Sequence, residues 1–115
     1  MMDTKLLPPT DENLAHAAQL LQGGQLVAFP TETVYGLGAN ALDAQAVLSI
    51  FTAKRRPADN PLIVHVDGPN TAQQVCQWSD AAQQIADAFW PGPLTMLLPR
   101  KACVPQIVTA GLPTV

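Results

Sequence analysis

Two segments of this chain carry groups able to hold an anion. Residues 29–38 read Phe29-Pro30-Thr31-Glu32-Thr33-Val34-Tyr35-Gly36-Leu37-Gly38, a hydroxyl-rich turn leaving an apolar strand. Shortly afterwards stands Lys54-Arg55-Arg56-Pro57, which places three of the six Lys and Arg residues in consecutive positions. Glycines let backbone approach a ligand, hydroxyls orient it and cations neutralise it, so the pair suits an anionic small molecule. The three cations also fit the solvated end of a helix, where positive side chains oppose the negative end of the dipole. Pro57 forces the chain out of helix directly after them, which puts the cations on a loop edge. Glu32 is a possible acid or base, a single carboxylate with no visible partner.

The elements that must position these groups follow from periodicity and caps. Thr10 precedes Asp11-Glu12 and reads as an N-cap, with Leu14, Ala17, Ala18 and Leu21 at helical spacing and Gly23-Gly24 as the stop. Leu26-Val27-Ala28-Phe29 is a short strand stopped by Pro30, and Asp43 caps a helix carrying Val47, Ile50 and Phe51. Leu62-Ile63-Val64-His65-Val66 is a second strand, its unbroken apolar character predicting cover on both faces. A short helix falls around residues 71–78. Ser79 caps a stronger one, with Ala82, Ile85, Ala86 and Phe89 on one stripe, and Trp90-Pro91-Gly92-Pro93 ends it. Leu94-Thr95-Met96-Leu97-Leu98 is a third strand, and Leu112-Pro113-Thr114-Val115 enters another. Strands alternate with helices, so the class is α/β. No linker divides residues 1–115, which read as one domain ending before its C-terminal part.

Composition sets the bounds. A chain of 115 residues, 48% of them hydrophobic, has a core and is not disordered. A net charge of −3 and a pI near 5.0 exclude a protein that grips nucleic acid through bulk positive charge. A local basic patch stays open, since five of the six cations fall in Lys54-Arg55-Arg56 and Arg100-Lys101. Cys76 and Cys103 lack metal-ligand spacing and read as free thiols in a reducing compartment. No apolar run is long enough to span a membrane, and Met1 to Lys5 shows no signal pattern, so a cytoplasmic protein without membrane partners is expected.

Four local motifs each admit more than one reading. Gly36-Leu37-Gly38-Ala39-Asn40-Ala41 matches the dinucleotide fingerprint in form, but Pro30 to Tyr35 separate the strand from the glycines, whereas the fingerprint needs them at its end. There is no P-loop, so a nucleotide must be held another way. Asn60 initiates a turn or offers its amide to a ligand. His65 shares a strand face with Ile63 and is either a core histidine or a ligand group. The segment 90–95 is a rigid turn or part of a site.

Taken together, Pro30-Thr31-Glu32-Thr33-Val34-Tyr35-Gly36-Leu37, Lys54-x-Arg56-Pro57, Asn60-Pro61-Leu62 and Trp90-Pro91-Gly92-Pro93-Leu94-Thr95 stand in the order and spacing of the YrdC-type domain. The chain from about Leu14 to Val115 resembles this threonylcarbamoyl-AMP synthase family, and looks most like the N-terminal part of its longer bacterial and archaeal form. The resemblance implies a twisted mixed sheet with flanking helices and a concave cationic cleft. It implies an L-threonylcarbamoyladenylate synthase, a nucleotidyltransferase making threonylcarbamoyl-AMP and pyrophosphate from L-threonine, bicarbonate and ATP, with Mg²⁺. The product serves tRNA threonylcarbamoyladenosine modification, through tRNA or tRNA-modifying transferase proteins. Carried over by motif position, Lys54, Arg56, Asn60 and Thr114 contact ATP, Lys54 and Arg56 being the catalytic cations. Thr33 and His65 contact threonine, and no protein-held metal is implied. Arg55 takes the variable position and receives no role. The family continues beyond the Val115 position with residues that complete both ligand sites, so the 115-residue chain alone is expected to be inactive. Two other readings are a carbamoyl-adenylate domain like that of hydrogenase-maturation carbamoyltransferases, in which other modules lie upstream, and a double-stranded RNA or tRNA-binding module without catalysis.

Overall fold

The computed structural model describes residues 3–115. In chain order the elements are α1 (Asp11–Gln22), β1 (Val27–Pro30), β2 (Tyr35–Gly38), α2 (Ala44–Lys54), α3 (Pro69–Val75), α4 (Asp80–Phe89) and α5 (Gln106–Thr109). The helix starts obey the caps in the sequence. Thr10 Oγ1 accepts from the Asn13 N–H at 3.2 Å, Asp43 Oδ1 from those of Gln45 and Ala46 at 3.1 and 3.2 Å, and Ser79 Oγ from that of Ala82 at 3.1 Å. Each such cap is worth about 1 kcal/mol. Gly24 turns the chain out of α1 at φ 86°, a left-handed conformation that other residues enter only under strain.

The α/β class holds, while the sheet within residues 3–115 is a two-stranded antiparallel hairpin, β1 with β2. Val27 pairs with Gly38, Phe29 with Gly36 and Pro30 with Tyr35. Pro30 therefore closes the ladder from inside β1 rather than stopping the strand before it. The return strand Tyr35-Gly36-Leu37-Gly38 was not legible because two glycines erase its strand propensity. They also exclude the dinucleotide reading, since both lie within a strand and not at the mouth of a helix.

Residues 62–66 and 94–98, predicted as strands, form no ladder among the described residues, because β propensity favours a strand and only a neighbouring strand supplies the bonds. Nor is the first of them covered on both faces. Leu62 and Val64 pack on the core, while Ile63 is 65% exposed and His65 is exposed. Residues 113–115, read as entering a strand, are paired: Val115 and Leu98 exchange N–H···O bonds of 2.8 and 2.9 Å, and Thr114 bridges Pro99. The short third helix runs Pro69–Val75, earlier than the predicted 71–78, because Pro69 suits its first turn.

The core cluster is Val47, Phe51, Val75, Val104 and Val108, with Leu62, Val64, Ile107 and Val115 against it. It thus joins α2, α3 and α5 to one face of the 62–66 segment. α1 buries no residue, and Leu14 on its stripe is 56% exposed. Among the described residues no helix is long and apolar enough to cross a membrane.

Candidate active site

The hairpin turn is organised by one side chain. Thr31 Oγ1 accepts from the N–H groups of Thr33 and Val34 at 3.3 and 3.2 Å and also bonds the Val34 carbonyl, while the Thr31 N–H donates to that carbonyl at 3.0 Å. The Thr31 hydroxyl is therefore committed to backbone, as Ser and Thr commonly are in turns. Glu32 and Thr33 are left exposed at the tip.

The Phe29 side chain links this hairpin to the 62–66 segment. Its ring lies against Gly38, so closely that a Cβ there would meet Phe29 Cε1 at 2.6 Å. The same ring meets His65 edge to face, with centroids 6.0 Å apart. His65 Nδ1 lies 3.3 Å from the Ile63 carbonyl, which bends the imidazole back along its own segment. His65 is thus neither a core histidine nor unsupported; it is an exposed ring steadied by an aromatic neighbour.

A cleft of about 990 Å³ opens between the segments 61–69 and 90–98. Apolar groups including Ile63, Val64, Leu97 and Trp90 line it, together with His65, Thr95 and the carboxylates Glu32, Asp67 and Asp87. Trp78 and Trp90 pack together in the same wall, centroids 6.0 Å apart, and the Trp90 Nε1–H donates to the Leu94 carbonyl at 2.9 Å. The turn Trp90-Pro91-Gly92-Pro93 accordingly shapes a wall of the cleft.

The six predicted site residues are distributed unevenly about this cleft. His65 lines it. Thr33, Asn60 and Thr114 each adjoin a lining residue, namely Glu32, Pro61 and Val115. Lys54 and Arg56 do not line it. The cleft wall is therefore apolar and acidic, and the expected cations are exposed at the end of α2. Lys54 belongs to the last turn of that helix rather than to the loop. Arg55 caps it in the left-handed conformation, φ 53° and ψ 45°, with its N–H shared between the Phe51 and Thr52 carbonyls. The Arg56 N–H reaches back to Phe51 O at 2.9 Å, a bond that closes the helix end and turns the chain before Pro57. Arg55 thus has a structural task of its own. Among the described residues no group of three or more His, Cys, Asp and Glu could hold a metal ion, and both cysteines are free.

Hairpin, helices and cleft define an α/β domain that offers a threonine-bearing turn and a histidine to one opening. The family model Sua5_yciO_yrdC, described as telomere recombination, matches residues 19–115, and the chain belongs to that family. It is 54% identical over 100 residues to the threonylcarbamoyl-AMP synthase of Pyrococcus abyssi, covering 86% of this chain and 29% of that protein. It is 49% identical over 115 residues to the threonylcarbamoyl-AMP synthase of Bacillus subtilis, covering 97% of this chain and 33% of that protein. The chain thus spans about a third of the length of these relatives. Among solved structures, P. abyssi Sua5 with the substitutions H234A and Y235A matches at a TM-score of 0.87 and 50% identity, covering 92% of this chain and 33% of that one. The P. abyssi Sua5 complex with L-threonine matches at 0.86 and 49% identity, over 95% and 32% of the two chains.

Proposed function

We propose that this chain supplies the hairpin turn, His65 and the α2-end cations of an L-threonylcarbamoyladenylate synthase. The observation that carries this reading is the close match, in sequence and fold, to a relative whose structure holds L-threonine. In this reading Thr33 and His65 contact the amino acid. Lys54, Arg56, Asn60 and Thr114 contact ATP, with Lys54 as a compact charge and Arg56 as a planar fork. The amine of threonine combines with bicarbonate to give a carbamate. A carbamate oxygen then attacks the α-phosphorus of ATP, and pyrophosphate leaves. Alignment and charge neutralisation carry such a transfer, so no enzyme nucleophile is required. Mg²⁺ would accompany ATP as part of the substrate and would offset charge on its phosphates, without a dedicated cage of protein ligands. The product passes to tRNA modification.

The test is made in the protein as its natural reading frame encodes it. Arg56→Ala weakens ATP binding by about 1.5–3 kcal/mol, the worth of a charge-assisted hydrogen bond. Arg55→Ala, at the helix cap, changes it far less. Pyrophosphate release requires both bicarbonate and L-threonine, and valine replaces threonine poorly, because a site that bonds the hydroxyl leaves polar groups unpaired without it. Equal ATP losses for the two arginines, or turnover without an amino acid, overturn the reading.

A further inference from the structure

Three carboxylates line the cleft, and two of them are already engaged. Asp67 accepts from the Thr71 hydroxyl, and Asp87 Oδ1 accepts from Gln83 Nε2 at 2.8 Å within α4. Glu32 is the third. Among the described residues its carboxylate has no hydrogen-bond partner, and no Lys or Arg lines the cleft to neutralise it. Glu32 lies inside the turn that Thr31 closes through its bonds to Thr33 and Val34. An uncommitted carboxylate at the tip of a closed turn, beside an apolar wall that offers it no cation, suits a cationic group from the ligand. Thr33, the proposed threonine contact, is the next residue, and His65 lines the same cleft.

We propose that Glu32 binds the ammonium group of the amino-acid substrate and takes the proton that the amine must lose before it can react; this rests on the synthase reading above. An ammonium nitrogen has no lone pair. Transfer of one proton to Glu32 gives the free amine and the neutral carboxylic acid. The nitrogen lone pair then forms a bond to the bicarbonate carbon. The C–OH bond of bicarbonate breaks, and its hydroxide leaves as water with a second proton from nitrogen. The products are the carbamate anion, one water and protonated Glu32, which returns its proton to solvent. With the unchanged threonine carboxylate left out of the count, charge is −1 on both sides of this step. Glu32 is a catalytic residue in this scheme, and the carboxylate at the turn sets a preference for amino acids over the corresponding hydroxy acids.

The experiment uses the protein encoded by the natural reading frame, with L-threonine and with 2,3-dihydroxybutanoate, in which a hydroxyl replaces the ammonium. Glu32→Gln is expected to lower kcat/KM for L-threonine about 100-fold, the lower range for loss of a general base. It leaves ATP affinity within about twofold and the unfolding midpoint unchanged, since the side chain is exposed. Wild type binds threonine in preference to the hydroxy acid, and Glu32→Gln loses that preference. Glu32→Asp, which keeps the charge on a shorter arm, retains the preference but loses turnover, and it serves if the Gln variant does not fold. An active wild type whose Glu32→Gln variant keeps both turnover and preference overturns the role of Glu32 alone. A wild type that neither binds L-threonine nor releases pyrophosphate overturns the synthase reading and this role with it.

Discussion

Gly38→Ala should damage the protein, while Gly36→Ala, two residues away on the same strand, should not. At Gly38 an added Cβ meets Phe29 Cε1 at 2.6 Å, whereas at Gly36 the nearest atoms are Thr31 Cγ2 at 3.6 Å and the Phe29 ring at 3.7 Å. Carbon atoms rest at about 3.5–4.0 Å, so Gly36→Ala adds an ordinary contact and Gly38→Ala demands roughly 1 Å of movement. Both substitutions gain about 0.5–1 kcal/mol by replacing glycine within a strand. Overpacking costs about 1–3 kcal/mol and falls on Gly38→Ala alone. The glycine term cancels between the variants, so they should differ by about 1–3 kcal/mol in urea unfolding, or roughly 4 °C or more in Tm. The ring that must move is the one against His65, so Gly38→Ala should also weaken L-threonine binding when Gly36→Ala does not. Variants that agree within about 0.5 kcal/mol, and in threonine affinity, would refute the claim that Phe29 couples the hairpin to His65.

Four further outcomes are expected. Arg55→Gly relieves a left-handed residue that costs about 1–2 kcal/mol and gives back about 0.4–1 kcal/mol through the freer unfolded chain; urea unfolding should show a small net stabilisation, and a clear loss would contradict the capping role of this position. Thr31→Val removes the hydroxyl that ties the turn, so it should cost about 0.5–1.5 kcal/mol and lower threonine affinity, whereas Thr31→Ser, which keeps the hydroxyl, should approach wild type in both measurements. Burial pushes the Cys76 thiol above its ordinary value, and nearby Lys101 only partly offsets this. The stability it contributes is full below the unfolded-state value and is lost as pH rises through the folded one, so unfolding midpoints should fall in alkaline buffer and Cys76→Ala should flatten that fall. In the same protein a thiol reagent should label exposed Cys103 well before Cys76, as peptide mapping would show.

Much of this protein could be read from local signals. The caps at Thr10, Asp43 and Ser79 and the stripe of α4 are short-range patterns, set by which side chain reaches which N–H within one turn, and each gives a helix where the sequence places it. The motif residues around Thr33, Lys54, Asn60 and Trp90 were sufficient for the family, because chemistry-bearing residues at a fixed spacing do not depend on knowing what they touch. Tertiary structure decided the rest. Strand Tyr35–Gly38 exists because Val27–Pro30 lies beside it, not because two glycines prefer to be extended. The segments 62–66 and 94–98 have strand composition without a ladder, since a ladder is a property of two segments and composition belongs to one. The sequence shows three hydroxyls in the turn region and three adjacent cations, but not that Thr31 spends its hydroxyl on the backbone or that Arg55 closes a helix. Such commitments arise only when distant or folded-back groups come within bonding distance. For the same reason Glu32, a lone carboxylate in the sequence, becomes the uncommitted carboxylate of the cleft once Asp67 and Asp87 have found their partners.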